Sequence, residues 1–112
     1  PFNVTIAAEA ALLSTLKDGN YLLGNVEKIV AERERMFELL NDLPRLKAWP
    51  SHGNYLMCEF KENEAERVYV ELAAKGIFVR NFNSPRLRDC FRIAVGTSSD
   101  TDNLIAAMKA IV

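Results

Sequence analysis

A cluster of arginines is the part of this sequence best equipped for chemistry. Four of the 13 residues from 80 to 92 are arginines and Asp89 is the only acid among them, so the segment has a formal charge of four minus one, or +3. The planar guanidinium group binds carboxylate or phosphate through two parallel hydrogen bonds. The segment therefore predicts a binding site for a small anion.

The four arginines divide into two pairs by their context. Arg80 and Arg92 lie inside apolar runs that are typical of strands, whereas Arg86 and Arg88 lie in the polar loop between those runs. Two guanidinium groups on adjacent strands suit a phosphate dianion better than one does, because each hydrogen bond to a charged group contributes on the order of 1.5–3 kcal/mol. We therefore predict that Arg80 and Arg92 bind a substrate anion, and that Arg86 and Arg88 serve solubility.

The elements that must position these arginines follow from the spacing of apolar residues. Helices are predicted over residues 4–17, 21–40 and 64–75 and, capped by Ser98 or Ser99, at the C-terminal end of the sequence, and strands over 46–49, 55–60, 77–80 and 90–95. Asn3 is the expected N-cap of the first helix, and Asn63 with Glu66 resembles a capping box before the third. The order α-α-(β)-β-α-β-β-α predicts an α/β unit of the α+β-like, small-domain kind, with three or four strands and helices mainly on one face of the sheet.

Alternation of side chains along the strands gives the sheet two different faces. The face expected to pack against the helices carries Leu56, Cys58, Phe60, Ile77, Val79, Phe91, Ile93 and Val95. The opposite face, called the open face below, carries Tyr55, Met57, Glu59, Phe78, Arg80, Cys90, Arg92 and Ala94. A face toward solvent is mostly polar, so this mixture of apolar groups and arginines predicts contact with another domain or a ligand. A partly hydrated face, on which arginine stems lie over aromatic rings, is the alternative.

The first helix is apolar around nearly its whole circumference, and the turn at Asp18-Gly19-Asn20 is expected to end it. Such a helix needs cover on most sides, which the rest of a 112-residue chain can hardly supply. We therefore predict that residues 1–20 lead to a partner or domain outside this chain. Pro1 is not a translation start, so the first residue is expected to be a cut or processing site.

Composition excludes several classes of protein. The net charge of −1 disfavours general nucleic-acid binding, and no apolar run approaches the roughly 20 residues that span a bilayer. Cys58 and Cys90 are expected to be reduced, packed thiols of a cytoplasmic protein, and His52 to be a structural or exposed turn residue. No metal-ligand pattern, catalytic triad or cofactor-binding motif is present in the sequence. The chain thus has anion-binding groups but no predicted catalytic residue.

Five short segments resemble the histidinol-phosphate aminotransferase family. They are PFNV at 1–4, WPS at 49–51, GNYL at 53–56, GIFVRN at 76–81 and, most specific, CFRIAVGT at 90–97. The resemblance covers nearly the whole chain in the right order. It corresponds to the C-terminal small domain of these fold-type I, pyridoxal-phosphate-dependent enzymes.

The resemblance implies an enzyme much longer than this chain, working as a cytoplasmic homodimer in histidine biosynthesis. It implies amino transfer between glutamate and imidazole-acetol phosphate, giving 2-oxoglutarate and histidinol phosphate. By the motif, Arg92 matches the small-domain arginine that grips the substrate anion, and Arg80 matches a second arginine near the phosphate end. Pyridoxal 5'-phosphate would be held mainly by the large domain, so residues 1–112 alone are predicted to be inactive. Asn54 follows Gly53 where the family has alanine, and we assign it no role.

Two other functions remain open from the sequence. A threonine-phosphate decarboxylase has a similar small domain. A freestanding phosphate- or RNA-binding α/β module would use the same basic segment, although stacking aromatic residues are few on the open face.

Overall fold

The computed structural model describes residues 3–61 and 63–112, and within them helices and strands follow the predicted order. The elements are α1 (Ile6–Lys17), α2 (Gly19–Asn41), β1 (Leu46–Trp49), β2 (Tyr55–Phe60), α3 (Ala65–Ala74), β3 (Arg80–Asn81), β4 (Cys90–Ala94) and α4 (Ser98–Ile111). The strands form one sheet in the order β1-β2-β4-β3, in which every neighbouring pair is antiparallel. The predicted fold class is confirmed.

The core lies between one face of this sheet and the helices. The sheet contributes Leu56, Cys58, Phe60, Phe91 and Ile93, all buried, and the helices cover them with Met36, Leu40, Val68, Leu72, Leu104, Ile105 and Met108. Ile77, Val79 and Val95 are partly buried against the same cluster. The sequence-based assignment of the two faces is therefore confirmed, and it leaves the arginines on the side away from the helices.

The strand predicted over 77–80 is wrong in its extent, because the end of α3 uses part of it. Gly76 adopts a φ of 79°, and its N–H donates to the carbonyl of Ala73 at 3.0 Å. The N–H of Ile77 donates to the carbonyl of Leu72 at 2.9 Å. This pair of hydrogen bonds is the Schellman motif that closes a helix. Strand pairing therefore starts only at Arg80.

The turn expected at Asp18-Gly19-Asn20 is shorter than predicted, because α2 begins at Gly19 and only Asp18 separates it from α1.

The predicted starts of α1 and α3 are wrong as well. The N-cap of α1 is Thr5, whose Oγ1 accepts a hydrogen bond from the N–H of Ala8 at 3.1 Å, so Asn3 lies outside the helix. At α3 the N-cap is Glu64 and no side-chain cap is formed. Asn63 instead adopts a φ of 60°, a left-handed conformation that asparagine tolerates. It takes up the turn before α3 rather than capping that helix.

The cap of α4 is Thr97 rather than Ser98 or Ser99. Oγ1 of Thr97 accepts from the N–H of Asp100 at 3.3 Å, and Oδ2 of Asp100 accepts from the N–H of Thr97 at 2.8 Å. This reciprocal capping box satisfies two N–H groups that would otherwise lack partners at the helix start. Thr97 and Asp100 have the three-residue spacing of a capping box in the sequence. Ser98 and Ser99 between them are equally suitable caps by residue type, so the sequence did not single out Thr97.

We expect Thr97→Ala to destabilise the protein by about 1 kcal/mol, the usual contribution of such a cap. Denaturant unfolding measures this loss of stability, with Ser98→Ala as the matched control at the neighbouring position.

The hydrogen bonds from the Thr97 hydroxyl and N–H lower the pKa of Asp100. A lowered carboxyl pKa stabilises the fold above the pKa of the unfolded chain, and this stabilisation is lost as the pH falls through the folded pKa. The difference between Thr97→Ala and wild type should therefore shrink in acid, and an equal effect of Ser98→Ala would contradict the assignment.

Candidate anion-binding site

The structure brings the two predicted anion-binding arginines together. Arg80 on β3 and Arg92 on β4 are direct cross-strand partners, and both are exposed. Side chains of directly opposed residues project from the same face of a sheet. The two guanidinium groups therefore share the open face, as the sequence predicted.

No acid neutralises this pair within the residues that the structure describes. Ion pairs there involve Arg33, Arg35, Arg45, Arg67 and Arg88. Arg80 and Arg92 form no ion pair with any acid in residues 3–61 or 63–112. Like charges directly opposite each other destabilise a sheet, so the pair is unfavourable until an anion lies between or beside it. This arrangement is typical of a binding site and unlike a structural ion-pair network.

Aromatic rings lie beside both guanidinium groups. The Cζ atom of Arg92 is 5.0 Å from the centre of the Tyr55 ring, and that of Arg80 is 6.0 Å from the centre of the Phe82 ring. An aromatic ring attracts the guanidinium through its π face, whereas a carboxylate would accept hydrogen bonds from the guanidinium N–H groups. The hydrogen-bond donors of both arginines therefore stay available to a ligand.

The register extends the site across the whole sheet. Trp49 is opposite Met57, Met57 is opposite Arg92, and Arg92 is opposite Arg80. One row of the open face thus runs from an indole ring and a thioether to two cations. Such a row matches a ligand with an apolar or ring portion and an anionic end. Trp49 was missing from the sequence-based description of this face, because the pairing of β1 places it there.

The loop arginines lie outside this row. Arg86 and Arg88 are both exposed, and Nε of Arg88 lies 3.4 Å from Oδ2 of Asp89. The surface role predicted for them stays a prediction. His52 is exposed, as expected.

The cysteines fit the predicted packed thiols. Cys58 and Cys90 are free and buried. Burial raises the pKa of Cys58 to about 12 and also raises the pKa of Cys90. A thiol must ionise to act as a nucleophile or metal ligand, so these two groups are poorly suited to either task. Along the described ranges, no cluster of three or more metal-ligating side chains occurs, and no helix has both the length and the apolarity needed to cross a membrane.

Comparison with known proteins decides the family. The family model for aminotransferase class I and II matches residues 1–108. This chain belongs to the aminotransferase class I and II family.

Individual aminotransferases match over nearly the whole chain. Histidinol-phosphate aminotransferase of Dehalococcoides mccartyi (strain CBDB1) is 41% identical over 108 residues, which are 96% of this chain and 30% of that protein. The structure of histidinol-phosphate aminotransferase from Sinorhizobium meliloti in complex with pyridoxal-5'-phosphate superposes with a TM-score of 0.82 at 28% identity, covering 91% of this chain and 28% of that one. The chain therefore spans under a third of the length of these relatives.

A decarboxylase shares the fold at lower similarity. L-threonine-O-3-phosphate decarboxylase from Porphyromonas gingivalis superposes with a TM-score of 0.69 at 17% identity, covering 75% of this chain and 27% of that one. At this identity the likeness shows the fold alone.

Proposed function

We propose that this chain is the substrate-binding small domain of a longer histidinol-phosphate aminotransferase. The reaction is the exchange of an amino group between histidinol phosphate and 2-oxoglutarate, giving imidazole-acetol phosphate and glutamate. The observation that carries the proposal is the pair Arg80 and Arg92, opposed on the open face with no acid partner in the part of the chain described. Similarity to a histidinol-phosphate aminotransferase at 41% identity supports the choice of substrate.

The chemistry of the two substrates fits one pair of guanidinium groups. Histidinol phosphate presents a phosphate and 2-oxoglutarate presents carboxylates, and a guanidinium binds either anion in a bidentate manner. The row of Trp49 and Met57 beside Arg92 offers an apolar surface to the rest of the molecule. We propose that the open face turns toward the large domain, so that closure brings the arginines over the substrate and excludes water.

The cofactor that we propose for the longer enzyme is pyridoxal 5'-phosphate, which supplies the electron sink for amino transfer. The residues of this chain do not fit its covalent attachment. An imine-forming lysine is normally desolvated or placed beside another cation, whereas all six lysines here are exposed: Lys17, Lys28, Lys47, Lys61, Lys75 and Lys109. Residues 1–112 alone are therefore predicted to be inactive, with the attachment site supplied from outside them.

We also propose that the segment 1–20 leads back to the large domain. Residues 1 and 2 lie outside the described residues, and the rest of the segment is α1 and its flanks. None of the residues of α1 is buried, and even its large apolar side chains are exposed, Ile6 by 87% and Leu16 by 63%. The radius of gyration is 16.7 Å, compared with about 13 Å for a compact domain of this size. The helix thus offers apolar surface that the chain itself leaves uncovered.

This arrangement predicts that residues 1–112, made alone, self-associate through α1. Sedimentation velocity over a range of concentrations is the measurement, and Ile6→Glu with Leu16→Glu is the variant expected to restore a monomer. A monomeric wild-type chain at high concentration would contradict the exposed apolar surface. The homodimer and the cytoplasmic location that the resemblance implies stay predictions.

The function is tested on the longer protein that contains this chain. With histidinol phosphate and 2-oxoglutarate we expect formation of glutamate, and with L-threonine O-3-phosphate we expect no release of carbon dioxide. The reverse result would assign the chain to a decarboxylase. Salt-sensitive binding of single-stranded RNA without either activity would favour the freestanding binding module.

A further inference from the structure

Arg92 has two diagonal neighbours on β2, and they would affect its hydrogen-bond donors in opposite ways. Its direct partner is Met57, so Tyr55 and Glu59 occupy the two diagonal positions on the same face. Diagonal neighbours in a sheet are within reach of long side chains. An ion pair with Glu59 would occupy the donors that an anionic substrate needs, whereas contact with Tyr55 leaves them available.

The guanidinium of Arg92 lies on the tyrosine side, and Gly53 leaves room for the Tyr55 ring there. A Cβ atom added at Gly53 would lie 2.9 Å from Cε1 of Tyr55, so the ring occupies the space that a larger residue would fill. The ring therefore packs directly against the turn before β2. From there it lies 5.0 Å from the Cζ atom of Arg92.

A buried arginine holds that turn in place. Arg33, which interrupts the apolar stripe of α2, is 7% exposed, and its Nη1 donates to the carbonyl of Gly53 at 3.2 Å. The N–H of Gly53 donates to Oγ of Ser51 at 3.0 Å. The carbonyl of Asn54 accepts a hydrogen bond from the N–H of Val95 at 2.9 Å. The support beneath Tyr55 is thus tied both to α2 and to the end of β4.

The carboxylate on the other diagonal is held away from Arg92. Oε2 of Glu59 accepts a hydrogen bond from Nε1 of Trp49 at 3.1 Å, on the opposite side of β2 from β4. Nζ of Lys47, the direct partner of Glu59, lies 3.6 Å from the centre of the Trp49 ring. The indole N–H therefore binds the Glu59 carboxylate at the β1 edge of the sheet, where Lys47 supplies a positive charge.

We propose that Tyr55 and Trp49 are positioning residues that keep Arg92 available for the substrate anion. Tyr55 retains the guanidinium, and Trp49 retains the carboxylate that would otherwise compete for it. The inference rests on the proposed function, since it assumes that Arg92 binds substrate. It assigns roles to two aromatic side chains that do not themselves carry the anion-binding charge.

The test measures KM and kcat of the longer enzyme for histidinol phosphate. Trp49→Phe keeps an aromatic ring but removes the N–H donor, so Glu59 is released toward Arg92. We expect KM to rise about two- to fivefold, the range of an exposed ion pair, with kcat little changed. Adding Glu59→Gln to Trp49→Phe should return KM to the wild-type value, because no competing charge remains. A purely structural role of Trp49 would not be rescued in this way.

Tyr55→Leu removes the ring and should raise KM about two- to fivefold. The conservative Tyr55→Phe keeps the ring and should keep the wild-type KM. Tyr69→Leu on α3 is the matched control for loss of a tyrosine. Unchanged KM in both Trp49→Phe and Tyr55→Leu, or failure of Glu59→Gln to rescue Trp49→Phe, would overturn the inference. If Arg92→Ala also leaves KM unchanged, the proposed function itself has failed.

Discussion

Replacing Arg92 with alanine in the longer enzyme is expected to raise KM for histidinol phosphate by about tenfold or more. A hydrogen bond to a charged group contributes about 1.5–3 kcal/mol, and a guanidinium can form two of them with one anion. Arg80→Ala should act in the same direction, because the two residues are direct cross-strand partners. Arg92→Lys should recover part of the loss, since it keeps the charge but not the planar pair of donors.

Stability gives this prediction a second, independent readout. Two opposed like charges destabilise the sheet in the absence of ligand, so Arg80→Ala or Arg92→Ala should leave the melting temperature unchanged or raise it. A binding defect without a stability defect separates a ligand-binding arginine from a structural one. Arg86→Ala is the matched control, because this exposed arginine belongs to the same basic segment but lies outside the row. An equal rise in KM for that variant would indicate that bulk charge, and not the opposed pair, attracts the substrate.

The largest effect on stability is expected for Phe91→Ala. Phe91 is fully buried on a central strand, and its ring lies 5.0 Å from that of Phe60 at an angle of 44°. Removing a buried phenylalanine costs about 3–5 kcal/mol, because apolar contact is lost and a cavity remains. That is a large fraction of the 5–15 kcal/mol by which a typical domain is stable. Denaturant unfolding monitored by circular dichroism measures the change.

Phe78→Ala provides the matched comparison for the core. Phe78 is 81% exposed on the way to β3, so its truncation should alter the free energy of unfolding by no more than about 0.5 kcal/mol. Comparable losses for the two phenylalanines would show that the core is not organised around β4. Because Phe91 directly precedes Arg92, partial unfolding of Phe91→Ala should also impair substrate binding. Arg92→Ala, in contrast, should impair binding alone.

Local sequence patterns were sufficient for most of the fold. The alternation in β2 and β4 placed Leu56 and Phe91 on the helix face, because a strand reverses its side chains at every residue. The charge pattern likewise singled out Arg80 and Arg92. Errors occurred where two local structures compete for the same backbone, as at Ile77, whose N–H closes α3 instead of pairing in a strand. A hydrophobic pattern does not report which acceptor an N–H group will use.

The sequence by itself determined the order of the elements, the apolar face of the sheet, the uncovered character of α1 and the two arginines that suit an anion. Only the tertiary structure decided that Arg80 and Arg92 are direct partners, that Tyr55 and Glu59 flank Arg92, and that Trp49 engages Glu59. The reason is physical. Periodicity within a segment is a local property of the chain, whereas the register between strands is set by the packing of the whole sheet and by turns that distant residues such as Arg33 hold in place.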